Sequence, residues 1–195
     1  HMETNSTMKK ESNENSIRNT KVIAIIGLMT ALTCIMGPLS LPLPFSPVPI
    51  SLTNLAIYFT IYILGTKRGT ISYIIYLLIG FAGLPVFSAF TSGPAKLLGP
   101  TGGYLIGFIP MAVIAGLFIE KFPKKVAIHF VGMVLGTIVC YVFGTMWLAH
   151  QANMSFSAAL AAGVIPFIPG DICKIIIAMI AAPQIKKPLA KAGLI

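Results

Sequence analysis

The chain has 195 residues, of which 56% are hydrophobic and only 10% are charged, and its mean hydropathy is +0.88. A soluble domain carries about 25% charged residues, so the composition excludes an ordinary soluble protein and indicates a polytopic all-α membrane protein. In a soluble protein the net charge of +9 would suggest a nucleic-acid partner. Here we interpret the basic residues as markers of one side of the membrane, and we predict no nucleic-acid partner.

The N-terminal region differs in kind from the rest of the chain. Residues 1–20 are polar, rich in Asn, Ser and Lys, and show no apolar period. We therefore predict a disordered cytoplasmic tail there, with His1-Met2 as an expression scar. Residues 21–195 are predicted to form one transmembrane domain that binds a substrate. Its six apolar segments, each a predicted transmembrane helix, are about 22–41, 52–65, 70–88, 101–119, 125–149 and 165–183.

The basic residues fix the orientation of the six predicted spans. Twelve of the fourteen lysines and arginines lie before the first span, in the second and fourth connections, or after the sixth span. All four regions fall on one face of a six-span bundle, and the positive-inside rule makes that face cytoplasmic. Both termini are therefore predicted to be cytoplasmic. The only basic residues left on the outer side are Lys96 and Lys174, and the only acid is Asp171.

The outer connections have the composition of irregular backbone. The stretch 41–51 contains four prolines, "IPFIPG" (165–170) contains two, and 87–103 is rich in Gly and Ser. Non-helical backbone at membrane depth occurs where it faces protein or a water-filled cavity, and long loops are often functional. We expect a pocket open to the outer side, roofed by the first and third connections. Ordinary outer loops on a helical bundle are the alternative.

Asp171 and Lys174 are the strongest candidates for that pocket. Three positions apart, they share one face of the sixth span, and a lysine near a helix N-terminus needs an anionic partner. Ionisable groups within spans usually face the interior and serve a function. A carboxylate and an ammonium together suit a small polar ligand with both donors and acceptors. The alternative role for Asp171 is that of a helix cap.

Weaker candidates stand at the ends of other spans. Asn54 could add an amide, and Thr91 and Tyr104 could add hydroxyl groups, although polar residues at such places often only cap helices. Lys96 is interpreted as a lysine that snorkels to the membrane interface. The three cysteines are isolated and predict no metal site or disulfide. An intramembrane enzyme is less favoured, because paired carboxylates or a His/Glu cluster are absent from the outer side.

Small residues on the first span indicate a close helix contact. "GLMTA" places Gly27 and Ala31 four positions apart, a spacing that lets helices approach closely. The face they form could pack within the bundle or dock against another membrane subunit.

Four stretches resemble the BioY family, the biotin-binding S components of energy-coupling factor (ECF) transporters. They are "SPVPISLTNLAIY" (46–58), "LLIGFAGLPVFS" (77–88), "LLGPTGGYLIGF" (97–108) and "PGDICKIIIA" (169–178). The resemblance implies a six-helix S-component fold in the bacterial cell membrane and capture of biotin from outside, with no reaction catalysed. Another vitamin or cofactor such as lipoate is the alternative ligand.

The resemblance also implies partners and residue roles. The partners are a transmembrane coupling subunit (T component) and two cytosolic ATPases, which use ATP; this chain itself holds no cofactor. Asp171 and Lys174 match the family's D-x-x-K pair and would meet the ureido ring or the valerate carboxylate of biotin. Gly27 and Ala31 match the coupling-subunit contact. Thr91 departs from the family pattern, which has Arg, Lys or Asn near this position.

Overall fold

The computed structural model describes residues 2–195, and most of them are helical. Seven α-helices and one two-stranded sheet follow in chain order: α1 (Met2–Met36), β1 (Ser40–Leu41), β2 (Ile50–Ser51), α2 (Thr53–Phe81), α3 (Pro94–Leu98), α4 (Gly102–Lys121), α5 (Val126–Gln151), α6 (Phe156–Gly163) and α7 (Ile168–Lys191). Two 3₁₀ turns precede α3 and α7, at Ser88–Phe90 and Ile165–Phe167. The all-α class is confirmed.

Four helical stretches are long and apolar enough to cross a membrane: Met2–Met36, Gly102–Lys121, Val126–Gln151 and Phe156–Lys191. The last one contains α6, the 3₁₀ turn and α7. A chain with several such stretches is a multi-pass membrane protein.

Helix α2 is interrupted at Gly65, in the short basic connection predicted at 65–69. Gly65 has φ 83° and ψ 179°, a left-handed backbone conformation that glycine adopts without a steric penalty. A β carbon on Gly69 would lie 3.3 Å from the Ile61 Cα. This close approach shows that the chain folds back sharply at Gly65. The N–H of Thr66 donates to Glu120 Oε1 at 2.6 Å. The two halves of α2 thus correspond to the second and third predicted spans.

The core of the bundle contains several large aromatic side chains. Tyr58, Tyr73, Tyr76 and Phe87 are all at least 98% buried. The hydroxyl groups of the two central tyrosines reach backbone carbonyls, with Tyr73 donating to Leu105 O at 2.5 Å and Tyr76 to Val86 O at 2.7 Å. Buried tyrosines need such partners, and these bonds tie α2 to α4 and to the segment that follows α2.

Helices α4 and α5 pack closely against each other. A β carbon on Gly107 would lie only 3.1 Å from both Cα and O of Cys140. Glycine at such a crossing lets the two backbones approach more closely than larger residues allow. Helices α2, α3, α6 and α7 all contact this pair, whereas α1 packs against α2.

The N-terminal region differs from the predicted disordered tail. Residues 2–20 form the first part of helix α1 and are exposed. The hydroxyl groups of Ser6 and Thr7 donate to the Glu3 carbonyl at 2.8 and 2.9 Å, so the contacts there are local ones within the helix. His1 of the predicted expression scar lies outside the described residues.

The three long connections contain short elements that the sequence did not predict. The first holds strands β1 and β2, which pair antiparallel with Ser40 opposite Ser51. The third holds α3 and the fifth holds α6. Ser46 Oγ in the first connection donates to the Ala162 carbonyl in α6 at 2.6 Å. The first and fifth connections therefore meet at the same end of the bundle.

Candidate binding site

A small cavity lies where the three long connections meet the helices. It is lined by Val48, Pro49 and Ser51 of the first connection, Ser88 and Lys96 of the third, Tyr104 and Phe108 of α4, Tyr141 of α5, Asn54 of α2, and Asp171 and Lys174 of α7, among others. Its free space is about 80 Å³. The expected pocket among the connections is thus present in the structure, but in a contracted form.

The carboxylate of Asp171 is the centre of a buried polar network. Asn54 Nδ2 donates to Asp171 Oδ1 at 2.8 Å, and the hydroxyl of Tyr141 donates to Oδ2. Asp171 is only 8% exposed, and a buried carboxylate is stable only when it is hydrogen-bonded or paired. We call Asp171, Lys174, Asn54 and Tyr141 the α7 polar cluster.

Lys174 connects this cluster to the first connection. Its Nζ lies 3.4 Å from Asp171 Oδ1 and donates to the Ser51 carbonyl at 2.5 Å. Lys174 is 9% exposed. The two charges neutralise each other, which offsets part of the large desolvation penalty of burying an ion pair. The end of the β1–β2 hairpin is therefore bonded directly to a charged group of the cavity.

The position of Asp171 excludes a role as the helix cap. Helix α7 begins at Ile168 and its N-cap residue is Phe167. The side chain of Asp171 instead bonds to side chains of α2 and α5. Pro166 lies in the 3₁₀ turn before α7 and Pro169 lies in the first turn of α7, where proline fits because the first N–H groups of a helix have no partner within it. Asp171 and Lys174 follow these prolines and line the cavity.

Tyr141 was missed by sequence reasoning. It lies in the middle of α5, in a strongly apolar segment. A tyrosine in such a segment is ordinarily interpreted as a packing residue. Its hydroxyl nevertheless needs a polar partner at this depth. That requirement was the one available signal, but it does not identify Asp171 as the partner.

Tyr104 and Thr91, which were both predicted to supply hydroxyl groups to the pocket, differ in their positions. The ring of Tyr104 lines the cavity, and its hydroxyl donates to the Gly163 carbonyl at 2.9 Å. Thr91 does not line the cavity, and its hydroxyl donates to the Ser88 carbonyl at 2.8 Å within its own turn. The third connection instead brings Lys96, interpreted from the sequence as a lysine that snorkels to the interface, to the cavity.

Gly27 and Ala31 lie on the outside of the bundle. Both are exposed, and a β carbon on Gly27 would have no neighbour within 4 Å. They lie in a shallow apolar groove together with isoleucines of α1 and of the second half of α2: Ile23, Ile26, Ile35, Ile71, Ile75 and Ile79. Because both residues are exposed, the structure does not support the alternative in which this face packs within the bundle. We call it the small-residue face of α1.

Comparison with known proteins gives one consistent result. A model of the BioY family matches residues 6–191. The "Biotin transporter BioY" of Thermotoga maritima is 37% identical over 161 residues, which cover 83% of this chain and 93% of that protein. The "Probable biotin transporter BioY" of Pyrococcus horikoshii is 36% identical over 166 residues, covering 85% of this chain and 96% of that protein.

A solved structure shows the same fold. The crystal structure of the S-component for biotin from an ECF-type ABC transporter matches with a TM-score of 0.80 and 32% sequence identity. The match covers 87% of this chain and 92% of that one. Fold, sequence and family model therefore agree, and this chain belongs to the BioY family.

Proposed function

We propose that this chain captures biotin as the substrate-binding membrane subunit of an ECF-type ABC transporter. The observation that carries the proposal is the α7 polar cluster, a buried and electrically neutral group of donors and acceptors at one end of the cavity. The two relatives described above are named biotin transporters, and the matching solved structure is an S-component for biotin. Proteins of this kind transport their ligand and are not enzymes.

The ureido ring of biotin suits this cluster. A ureido group offers two N–H donors and one carbonyl acceptor in a single plane and carries no charge. The carboxylate of Asp171 would accept from the ring N–H groups, and the ammonium of Lys174 would donate to the ring carbonyl. A carboxylate placed here would instead approach the Asp171 carboxylate and be repelled. The apolar body of the ligand would lie against Phe108, Met111 and other apolar residues of the lining.

The cavity would have to widen when ligand binds. Its free space of about 80 Å³ is far below the roughly 300–1,000 Å³ of pockets that enclose small organic ligands. The first and fifth connections are joined by the Ser46–Ala162 bond, and Lys174 holds the Ser51 carbonyl. We propose that these connections act as lids, which move apart to admit the ligand and close over it afterwards.

The proposal also includes the membrane topology of the chain and its partner subunits. Residues 21–195 would cross the membrane six times, with the two halves of α2 as the second and third spans and both termini in the cytoplasm. A T component and two cytosolic ATPases would complete the transporter and use ATP to drive release. The small-residue face of α1, which is exposed and apolar, is the surface proposed for the T component.

Ligand binding by the purified protein tests this proposal. Isothermal titration calorimetry in detergent is expected to show one biotin per chain, with lipoate binding at least a hundredfold more weakly. Mass spectrometry after denaturation of the complex should recover biotin unchanged, as a binding subunit requires. If biotin produces no heat and does not raise the unfolding temperature, the assignment of the ligand is wrong; tighter binding of lipoate would favour the alternative vitamin.

A further inference from the structure

The charges that line the cavity do not balance. Asp171, Lys174 and Lys96 are its charged residues, and Asp171 and Lys174 form an ion pair with each other. Lys96 is left over, so the lining carries one positive charge more than it carries negative charge. A ligand with a single negative charge would make the occupied cavity neutral.

The ammonium of Lys96 has no partner in the protein. The ion pair of Lys174 with Asp171 is the one salt bridge among residues 2–195, and no side chain or carbonyl of that part of the chain accepts a hydrogen bond from Lys96 Nζ. Burial lowers the pKa of Lys96, because a partly desolvated ammonium without an anion is disfavoured. An anion at this position would reverse that penalty.

Lys96 and the α7 polar cluster belong to different walls of the cavity. Lys96 lies on α3, in the third connection, just before the start of α4. Asp171 and Lys174 lie on α7, and their polar atoms already bond to Asn54, Tyr141 and the Ser51 carbonyl. A ligand with a neutral hydrogen-bonding head and an acidic tail fits this division, with its head at α7 and its tail at α3.

We infer that Lys96 binds the carboxylate of the ligand and is the residue that selects an acid over a neutral analogue. The inference rests on the proposed function, since it assigns the second end of the same ligand. Lys96 would form a charge-assisted hydrogen bond from the third connection to the valerate carboxylate. Thr91, whose hydroxyl is bonded within its own turn, would have no part in this contact.

A comparison of biotin with biotinamide tests the assignment. The primary amide has nearly the shape of the acid but no charge, and the ureido ring is the same in both. Wild-type protein is expected to bind biotin about ten- to a hundredfold more tightly than biotinamide, the range of a hydrogen bond to a charged group. Lys96→Met should lower the affinity for biotin by that factor and leave the affinity for biotinamide unchanged.

The control variant is Lys96→Arg, which keeps the charge and should keep most of the preference for the acid. Unfolding temperatures of all three proteins show whether the substitutions disturb the fold. The inference is overturned if Lys96→Met weakens both ligands equally, or if wild-type protein does not distinguish them. If wild-type protein binds neither ligand, the proposed function itself fails; binding of both without discrimination leaves that function standing.

Discussion

The α7 polar cluster and the small-residue face of α1 differ in both burial and chemistry. The cluster holds charged groups that are 8% and 9% exposed and are bonded to three other parts of the chain. The face on α1 holds no charge, is open to the surroundings, and includes a glycine with empty space beside it. Sequence alone marks both as unusual, but the structure shows that one faces inward and the other outward.

This difference separates two kinds of function. A buried, internally satisfied polar group can exchange its partners for those of a ligand without exposing charge to lipid. An exposed apolar face with small residues permits close packing of another helix. Substitutions on the two surfaces should therefore have separate effects, one on ligand binding and the other on assembly.

The largest effect is expected from the ion pair. Asp171→Asn or Lys174→Ala should weaken biotin binding by about 30- to 5,000-fold, because loss of one partner of a buried charged contact costs roughly 2–5 kcal/mol. Calorimetry measures the change. Lys186→Ala is the matched control, since Lys186 is exposed near the C-terminal end of α7. Unchanged affinity in both cluster variants would remove the α7 end of the cavity from the ligand site.

The next effect is on assembly. Gly27→Leu should reduce co-purification of the coupling subunit at least tenfold while leaving biotin affinity within about twofold, because a leucine there blocks close helix packing and its β carbon has no neighbour within 4 Å in the chain itself. Affinity purification after expression with the T component and ATPases measures it. Gly27→Ala is the control and should assemble. An intact complex with Gly27→Leu would assign the contact to another surface.

A smaller loss is expected at Tyr141. Tyr141→Phe removes the hydroxyl that donates to Asp171 Oδ2 and keeps the ring. Binding of biotin should fall by about five- to a hundredfold, since a buried carboxylate left short of one donor costs about 1–3 kcal/mol. Tyr62→Phe is a matched control, because the Tyr62 hydroxyl lies 3.3 Å from His129 Nδ1 and Tyr62 does not line the cavity. Equal losses in both variants would point to a general effect on folding.

The smallest effect tests the third connection. Thr91→Ala should change biotin affinity by less than about twofold, because the Thr91 hydroxyl bonds to the Ser88 carbonyl and does not reach the cavity. Its direct comparison is Lys96→Met in the same titration. A large loss for Thr91→Ala, with none for Lys96→Met, would exchange the roles of the two residues.

The sequence predicted the helices and the charged core of the site for physical reasons that are local. Apolar length identifies a membrane helix, and the scarcity of outer-side charges singled out Asp171 and Lys174 before any contact was known. Asn54 followed from its place at the start of α2. These inferences need only apolar length, position in a segment and a count of charges along the chain, and the structure confirms the helical class and brings these three side chains together.

The residues that sequence reasoning misplaced depend on contacts between distant segments. Tyr141 belongs to the cluster because α5 packs beside α7, which no pattern within α5 indicates. Lys96 and Thr91 lie in a connection without periodicity, so its turn geometry decides which of them reaches the cavity. That turn includes left-handed backbone at Ala89 and Phe90, each with φ 57°. Such conformations are rare for residues other than glycine and were not foreseen.

The single tryptophan of the chain is a natural fluorescent probe of the third connection. Trp147 on α5 donates its indole N–H to the Gly99 carbonyl at 2.8 Å, and Gly99 directly follows α3, which carries Lys96. Any displacement of this connection would break or lengthen that bond and change the polarity around the indole ring. A change in Trp147 emission on addition of biotin would therefore show that the third connection moves when ligand binds, with no label attached and no second tryptophan to obscure the signal.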